Sequence, residues 1–134
     1  MKAYQYADSS GAKPFLSLIL PVYNEGDVLI KAISRIRDCL RSKGLRYQII
    51  ISDDGSTDEA IKNIPETENV IVIRKSENKG KGSAVRNAVM IAESDVIAYL
   101  DADLSIDENQ IESFVEALKE GFDIAIASRL SLIH

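Results

Sequence analysis

Short apolar runs of strand length alternate with amphipathic stretches, and this alternation constrains the fold more than any other feature. Strands are predicted at residues 15–20, 47–52, 70–74, 95–100 and 123–128. Helical spacing of apolar residues lies between them, over 27–43 with Gly44 as the stop, around 84–92, and over 111–118 with Gly121 as the stop. Such alternation is typical of a parallel sheet covered by helices on both faces. The sequence therefore predicts a doubly wound α/β domain.

Composition places the chain in the globular class and argues against several functions. The 134 residues are 46% hydrophobic and 28% charged, and the net charge is -5. An acidic chain of this kind is not expected to bind nucleic acid through phosphate contacts. Its apolar runs are shorter than the ~18 residues of a membrane helix, so a cytoplasmic protein is expected. Residues 1–14 are interpreted as a flexible polar lead-in to a domain over 15–134.

The single cysteine and single histidine exclude an intrachain disulfide and a zinc site built from these residue types. Cys39 lies on the apolar stripe of the helix predicted over 27–43. We therefore expect a buried, structural thiol rather than a reactive one.

Polar residues follow each predicted strand, where sheets of this class bind their ligands. The strands are followed or ended by "PVYNEGD", "DDGSTD", "NKGKGS", "DADLS" and "SR". Because the carboxyl ends of parallel strands meet at one edge, these residues are predicted to form one binding crevice.

Asp101 and Asp103 follow the fourth predicted strand, separated by Ala102. If the backbone stays extended, both carboxylates lie on one face and disfavour each other's ionisation. They fit an Asx turn and a helix cap before a capping box at 105–108. They equally fit a site for Mg²⁺ or Mn²⁺, whose remaining ligands come from a substrate diphosphate. In that case Ala102 leaves room for the ligand to approach.

Asp53 and Asp54 precede Gly55 and have the form of a turn. The alternative is that one of these carboxylates accepts hydrogen bonds from a base or a ribose. Residues 56–59, "STDE", match a capping box that opens a short helix ending before Pro65. Within it, Asp58 also suits the start of a helix through the helix dipole.

The segment 78–86, "NKGKGSAVR", is basic and rich in glycine, unlike the acidic chain around it. Its spacing matches neither a P-loop nor the dinucleotide-binding fingerprint. Glycines permit close approach of a ligand, and Lys79, Lys81 and Arg86 are candidates to hold a phosphorylated one. A solvated flexible loop is the alternative.

Candidate residues also follow the first and last predicted strands. Pro21 fixes the exit from the first strand, and Tyr23 offers a ring against which a base can pack. Glu25 is either part of this site or an acid favoured by the first turn of the helix. Arg129 either binds phosphate through two N–H groups or lies at the surface.

Taken together, these motifs resemble those of a family 2 glycosyltransferase of the GT-A fold. The resemblance runs from Phe15 to Arg129 and rests on "LILPVYNEGDVL", "IIISDDGSTDEA", "NKGKGSAVRNAV" and "AYLDADLS". Within the family, the chain is most similar to the polyprenyl- and dolichyl-phosphate hexosyltransferases, such as dolichol-phosphate mannose and glucose synthases.

The resemblance implies a role for each matching position. Asp101 and Asp103 become the D-x-D motif that binds Mg²⁺ or Mn²⁺ and, through it, the donor diphosphate. The nucleoside is assigned to the ends of the first two strands, including the backbone at Ser52, and the diphosphate to the end of the last strand. The lysines of segment 78–86, called the glycine loop below, are assigned less firmly. The implied substrate-binding residues are Pro21, Tyr23, Glu25, Ser52, Asp54, Lys79, Lys81, Ala102 and Arg129.

The implied activity is inverting transfer of a hexose from a UDP- or GDP-linked donor to a polyprenyl or dolichyl phosphate. Family members continue beyond the fifth strand, so this chain is interpreted as the donor-binding part, truncated or unusually short. We expect it to bind nucleotide, and to transfer sugar poorly on its own. Attachment would be peripheral, on the cytoplasmic membrane face, and exposed apolar surface favours self-association.

Two alternatives remain at this point. One is a non-catalytic module that binds a nucleotide-sugar. The other is a receiver-type signalling domain, which also has acidic residues around Mg²⁺ at strand ends. A receiver requires an acidic cluster, a phosphorylatable aspartate and a lysine after its first, third and fifth strands. This sequence has "PVYNEG", "KSENKG" and Arg129 there.

Overall fold

The structure is a computed structural model that describes residues 13–64, 69–103, 110–122 and 125. Within these residues, a parallel sheet has the strand order β3-β2-β1-β4. The strands are β1 Leu16–Val22, β2 Tyr47–Asp53, β3 Val70–Arg74 and β4 Val96–Tyr99. The helices are α1 Val28–Ser42, α2 Lys81–Ile91 and α3 Ile111–Lys119, and a 3₁₀ turn covers Ala60–Asn63. The predicted α/β fold is confirmed.

Two apolar clusters bury the two faces of the sheet. On one face, α1, α3 and the 3₁₀ turn cover even-numbered β1 residues such as Leu18 and Leu20. On the other face, α2 packs against Ile19 of β1 and Ile50 of β2 through Ala88. Because strand side chains alternate between faces, the central strands are buried on both sides, as their unbroken apolar runs predict.

Helix α1 begins and ends within one residue of its predicted limits. Gly44 has φ +66°, which favours glycine, and directs the chain out of the helix. Its amide donates to the carbonyl of Arg41, and the amide of Leu45 donates to the carbonyl of Leu40. These two bonds form a Schellman motif, which satisfies carbonyls at the end of the helix. Cys39 is buried on this helix, as predicted.

Strand β1 continues two residues further than predicted, so Pro21 lies inside the strand rather than after it. Pro21 is opposite Ser52 of β2. The carbonyl of Ile19 accepts from Leu100, on the β4 side, and the Pro21 nitrogen faces that same side. Since β4 ends at Tyr99, no strand partner is present there for the N–H that proline lacks. A central strand therefore tolerates this proline.

The predicted capping box at 56–59 is wrong. The 3₁₀ turn begins only at Ala60, and its N-cap, Glu59, makes no side-chain capping bond. Ser56 instead bonds to Asp53, at the end of β2, and to Asn24, in the loop after β1. A turn contact with Asp53 and a long-range contact with Asn24 thus replace the predicted capping interaction.

Strand β4 departs from the prediction that every strand is apolar on both buried faces. Val96 and Ala98 pack against the α1 cluster, whereas Ile97 and Tyr99 are 41% and 57% exposed on the α2 face. At this edge of the described sheet, the two side chains are therefore only partly covered. Self-association through such a surface stays a prediction.

Several predictions lie outside the described residues. They are the capping box at 105–108, most of the strand at 123–128, Arg129, and all but two residues of the lead-in. None of the described helices is both long enough and apolar enough to cross a membrane.

Candidate functional site

A cavity of about 310 Å³ lies at the carboxyl edge of the sheet, where β1, β2 and β4 end. It brings together most of the predicted site residues with four that were not predicted. The predicted residues that line it are Pro21, Tyr23, Glu25, Asp54, Lys81, Asp101, Ala102 and Asp103. The additional lining residues are Val22, Asn78, Gly80 and Ala84. The expectation of one crevice at the strand ends is thus met by the described residues.

The loop after β1 and the loop after β2 are connected by hydrogen bonds centred on Asn24. Its Oδ1 accepts from the amides of Thr57 at 2.8 Å and Asp58 at 3.2 Å. The backbone N–H of Asn24 donates to Oγ of Ser56 at 2.9 Å. Asn24 adopts φ +50°, which asparagine tolerates better than most residues. The two loops are therefore held together as one wall of the cavity.

Asp58 strengthens the same connection from the opposite loop. Its Oδ2 accepts from the amide of Gly26 at 3.1 Å, and its Oδ1 accepts from the amide of Ala60 at 3.3 Å. Sequence spacing indicates only a local role for Asp58, at the start of a helix. In the structure it positions the loop after β1 as well, through a contact that no local pattern indicates.

The two neighbouring aspartates of "DDG" have different roles. Asp53 is buried, its Oδ1 accepts from the amide and hydroxyl of Ser56, and its Oδ2 lies 3.5 Å from Nε of Arg74. Asp53 therefore stabilises the turn through Ser56 and lies close to the positive charge of Arg74. It does not line the cavity, which favours Asp54 as the candidate ligand-binding carboxylate.

Asp54 shapes the glycine loop. Its Oδ1 accepts from the amide of Lys79 at 2.9 Å and its Oδ2 accepts from the amide of Gly80 at 2.7 Å. The carboxylate is buried, yet it lines the cavity. Each oxygen has a second lone pair, so the group can accept from a ligand while it holds the loop.

Gly55 allows the glycine loop to lie directly against the β2 turn. A Cβ added at this position would stand 2.9 Å from the backbone nitrogen of Asn78 and 2.9 Å from the carbonyl carbon of Glu77. The backbone there also has φ +87°. Both facts require glycine, and together with Asp54 they fix segment 77–80 beside the cavity.

Ser52 and Lys79 do not line the cavity, so their predicted ligand contacts find no support in it. Oγ of Ser52 donates to the carbonyl of Ala84 at 2.7 Å, which connects β2 to the first turn of α2. The Lys79 side chain is exposed, with Nζ 4.0 Å from Glu77. Only its amide, bonded to Asp54, contributes to the shape of the site.

Asp101 and Asp103 line the cavity, but the condition that the backbone stays extended through them is not met. Strand β4 ends at Tyr99, and residues 102–103 form a turn. Nζ of Lys81 forms an ion pair with Oδ1 of Asp101 and lies 5.8 Å from the centroid of the Tyr99 ring. In the structure, the negative charge of Asp101 is thus compensated by the lysine that begins α2.

Glu25 lies close enough to the acidic side chains of both sides of the cavity for its pKa to respond to them. Its pKa is raised above the usual value of 4.5, first because burial disfavours its charged form, and next because Asp103 repels that charge. The hydrogen bond from the backbone of Tyr23 opposes this shift, and Asp101 and Asp58 add smaller repulsions. The surroundings of Glu25 therefore favour positive charge.

These residues fit a divalent cation that shares its coordination with a ligand. Among the described residues, no group of three or more acidic, histidine or cysteine side chains could hold a metal alone. Magnesium is usually held by one or two carboxylates together with waters and substrate phosphates. Asp101 and Asp103, facing one cavity with Glu25 nearby, provide this incomplete set.

The sequence model for Glycosyl transferase family 2 matches residues 17–132, which is most of the chain. The chain belongs to this family. Membership excludes the receiver-type alternative and agrees with the resemblance found in the four strand-end motifs. The matched region includes residues of all four strands of the described sheet.

Curated relatives carry more specific names. The chain is 40% identical over 117 residues to a dolichol-phosphate mannosyltransferase of Pyrococcus furiosus, covering 85% of this chain and 33% of that protein. It is 32% identical over 115 residues to an undecaprenyl-phosphate 4-deoxy-4-formamido-L-arabinose transferase of Edwardsiella ictaluri, covering 82% and 35%. The chain thus spans about a third of the length of these relatives.

Two solved structures share the fold of this chain. The mannosyltransferase PcManGT of Pyrobaculum calidifontis, in complex with GDP-Man and Mn²⁺, superposes with a TM-score of 0.60 at 23% identity, covering 75% of this chain and 30% of that one. TarS of S. aureus superposes with a TM-score of 0.61 at 22% identity, covering 79% and 32%. These similarities confirm the GT-A, Rossmann-like architecture.

Proposed function

We propose that the cavity binds a nucleotide-sugar with a divalent cation, and that the chain forms the donor-binding part of an inverting hexosyltransferase. The observation that carries the proposal is the meeting, in one cavity, of the loop after β1, Asp54, the glycine loop and the D-x-D carboxylates. Family membership supports the same reading. A UDP- or GDP-linked hexose is the donor class that we propose.

The nucleoside lies, in this proposal, against the wall formed by the loops after β1 and β2. Tyr23 is 45% exposed beside the cavity, so its ring is available to pack against a base. Asp54 can accept from the N–H or O–H groups of a base or ribose. Pro21 and Glu25 complete this side. The hydrogen-bonded loops preorganise it before any ligand arrives.

The donor diphosphate lies on the side of Asp101 and Asp103, which would hold Mg²⁺ or Mn²⁺. Such a cation stabilises the negative charge that develops on a leaving diphosphate. The chain's part is to position the two carboxylates, to bring the ammonium of Lys81 within reach, and to leave space at the small side chain of Ala102. Preorganised charge of this kind is usually the largest contribution to catalysis.

A polyprenyl or dolichyl phosphate is the proposed acceptor, because the relatives described above are named for transfer to such lipids. A phosphate acceptor is already anionic and needs little help from a general base. The full protein would then act at a membrane surface, where a peripheral position on the cytoplasmic face is proposed. Arg129, predicted to face the diphosphate, stays part of this proposal.

The test is a thermal-shift panel with GDP, UDP and CDP and their sugars, each with and without Mn²⁺. A ligand that binds only the folded state at about 100 times its Kd stabilises it by ~2.7 kcal/mol, which raises the melting temperature by several degrees. One base should stand out, its shift should need the metal, and Asp103→Asn should abolish the metal-dependent part.

Asp38→Asn is the matched control, because Asp38 is an exposed carboxylate on α1. It should respond to nucleotide and metal as the wild type does. No shift with any nucleotide in the wild type would contradict the proposal. Absence of transfer to a lipid phosphate in the full-length protein, with nucleotide binding retained, would favour the non-catalytic module.

A further inference from the structure

We infer that Lys81 occupies the Asp101 carboxylate until a donor binds, and then moves to the donor diphosphate as the cation takes its place. Metal and nucleotide would consequently bind cooperatively, each weakly alone and more tightly together. The inference rests on the proposed function, since it requires a diphosphate and a divalent cation in the cavity. It adds a role for Lys81 as the residue that couples the two.

The position of Lys81 is fixed at its backbone and free at its charged end. It is the first residue of α2, and the preceding amide, that of Gly80, donates to the buried carboxylate of Asp54. The side chain is 54% exposed and reaches across the cavity edge to Asp101. A flexible lysine side chain whose backbone is held in place can exchange one anionic partner for another within the same cavity.

Competition between the lysine and a cation follows from what Asp101 offers. The ammonium of Lys81 is paired with Oδ1 of this carboxylate, and a hard divalent cation also requires carboxylate oxygens. Two positive groups cannot share that position without strong repulsion. Binding of metal alone must therefore displace the ammonium into water, which lowers the apparent affinity of the site for metal.

The donor removes this cost because its diphosphate offers the lysine a second anionic partner. Asp101 and Asp103 both act on Glu25, so the cavity already contains an excess of negative charge. Adding a diphosphate without a cation would increase that excess, and adding a cation without a diphosphate would displace Lys81 into solvent. Bound together, they satisfy both charges. Coupling of this kind is reciprocal between the two ligands.

A purely structural role for Lys81 predicts a different outcome. If its ion pair only held Asp101 in place for the metal, removal of the ammonium would weaken metal binding in every condition. In the present account, removal strengthens the binding of metal alone and weakens the coupling to nucleotide. The direction of a single affinity change therefore separates the two roles.

The experiment measures Mn²⁺ affinity by electron paramagnetic resonance of the free ion, without nucleotide and with saturating GDP or UDP. The variants are Lys81→Met, Lys81→Arg, which keeps the charge, and Lys31→Met, which removes an exposed lysine of α1. Lys81→Met should bind Mn²⁺ alone about three- to fivefold more tightly than the wild type, because the ion pair that the metal displaces is partly exposed. The enhancement by nucleotide, expected to be about 5- to 100-fold in the wild type, should fall several-fold.

Lys31→Met should behave like the wild type, Lys81→Arg should keep most of the coupling to nucleotide because it keeps the charge, and circular dichroism should show that all variants are folded. Equal or weaker binding of Mn²⁺ alone by Lys81→Met, relative to Lys31→Met, would overturn the inference. That result leaves the proposed function intact if GDP or UDP still binds the wild type with metal. Failure of both nucleotides in the wild type contradicts the proposed function as well, so the two failures are distinguishable.

Discussion

The two halves of the cavity are built in different ways. On the nucleoside side, backbone amides and side chains of two loops are joined through Asn24 and Asp58, and Asp54 holds the glycine loop. On the D-x-D side, the described contact of Asp101 is a partly exposed ion pair with a flexible lysine. The first side is fixed by the fold, whereas the second depends on mobile charges. This difference indicates a preformed nucleoside site and a diphosphate site completed by its ligands.

Gly55→Ala should have the largest effect, because it introduces a steric clash on the nucleoside side, where two backbone segments lie closest together. The new Cβ would stand 2.9 Å from Asn78 and Glu77 backbone atoms, at φ +87°. Strain and overpacking together should lower the free energy of unfolding by about 2 to 5 kcal/mol. Urea denaturation measures the change.

Gly26→Ala is the matched control, since Gly26 has φ +64° and nothing within 4 Å of an added Cβ. Its cost should be only the backbone strain, about 1 kcal/mol. Equal destabilisation by the two substitutions would mean that the close approach at Gly55 is unimportant.

Asn24→Ala should destabilise less, by about 2 kcal/mol, because it removes the side-chain acceptor and leaves alanine at φ +50°. Asn24→Asp keeps an acceptor oxygen and a residue that tolerates this conformation. It should recover most of the loss, as judged by chemical denaturation. Equal losses for both variants would show that the loop connection does not depend on this acceptor.

Asp101→Asn should change the free energy of unfolding by less than ~1 kcal/mol, since its ion pair with Lys81 is partly exposed. The same substitution should nevertheless reduce metal-dependent nucleotide binding. Denaturation and calorimetry on one sample would measure both effects. A loss of stability comparable to that of Asn24→Ala would remove the contrast between the two halves.

Glu25→Gln should have the smallest effect, and it should be stabilising near pH 7. The pKa of Glu25 is raised in the folded state, so the folded chain holds this proton more tightly than the unfolded one. Its contribution to stability is complete below pH 4.5 and is lost as the pH rises through the folded-state value. Melting curves of both proteins should differ at pH 7 by less than ~1 kcal/mol and converge at low pH. A lower free energy of unfolding for Glu25→Gln at pH 7 would contradict the negative potential inferred around Glu25.

The regular elements were largely predictable because their signals are local. The apolar stripe of α1 and the stop at Gly44 follow from spacing and from the conformational freedom of glycine. Exposure of Ile97 and Tyr99 was not predictable, because an apolar run does not say which strand will lie at an edge. Likewise, spacing alone suggested a capping box at 56–59, and contacts from a distant loop replaced it.

The site was predictable as a set of positions but not as a set of interactions. The sheet rule brought the strand ends together, and the cavity confirms that most of these residues meet. The residue pattern alone could not say which of Asp53 and Asp54 faces the cavity, since both fit a turn, and only the family resemblance pointed to Asp54. Nor could it show that Lys81 pairs with Asp101, because these residues lie on different elements.

Calorimetric titration of the wild type with nucleoside mono- and diphosphates, with and without Mn²⁺, tests the two-part site most directly. For the base that fits, the account predicts that Mn²⁺ changes the affinity for the monophosphate less than about threefold. The affinity for the diphosphate should rise about tenfold or more, because the diphosphate completes the metal's ligands. An equal response of both nucleotides to Mn²⁺, or no binding by either, would contradict the division of the cavity into these two parts.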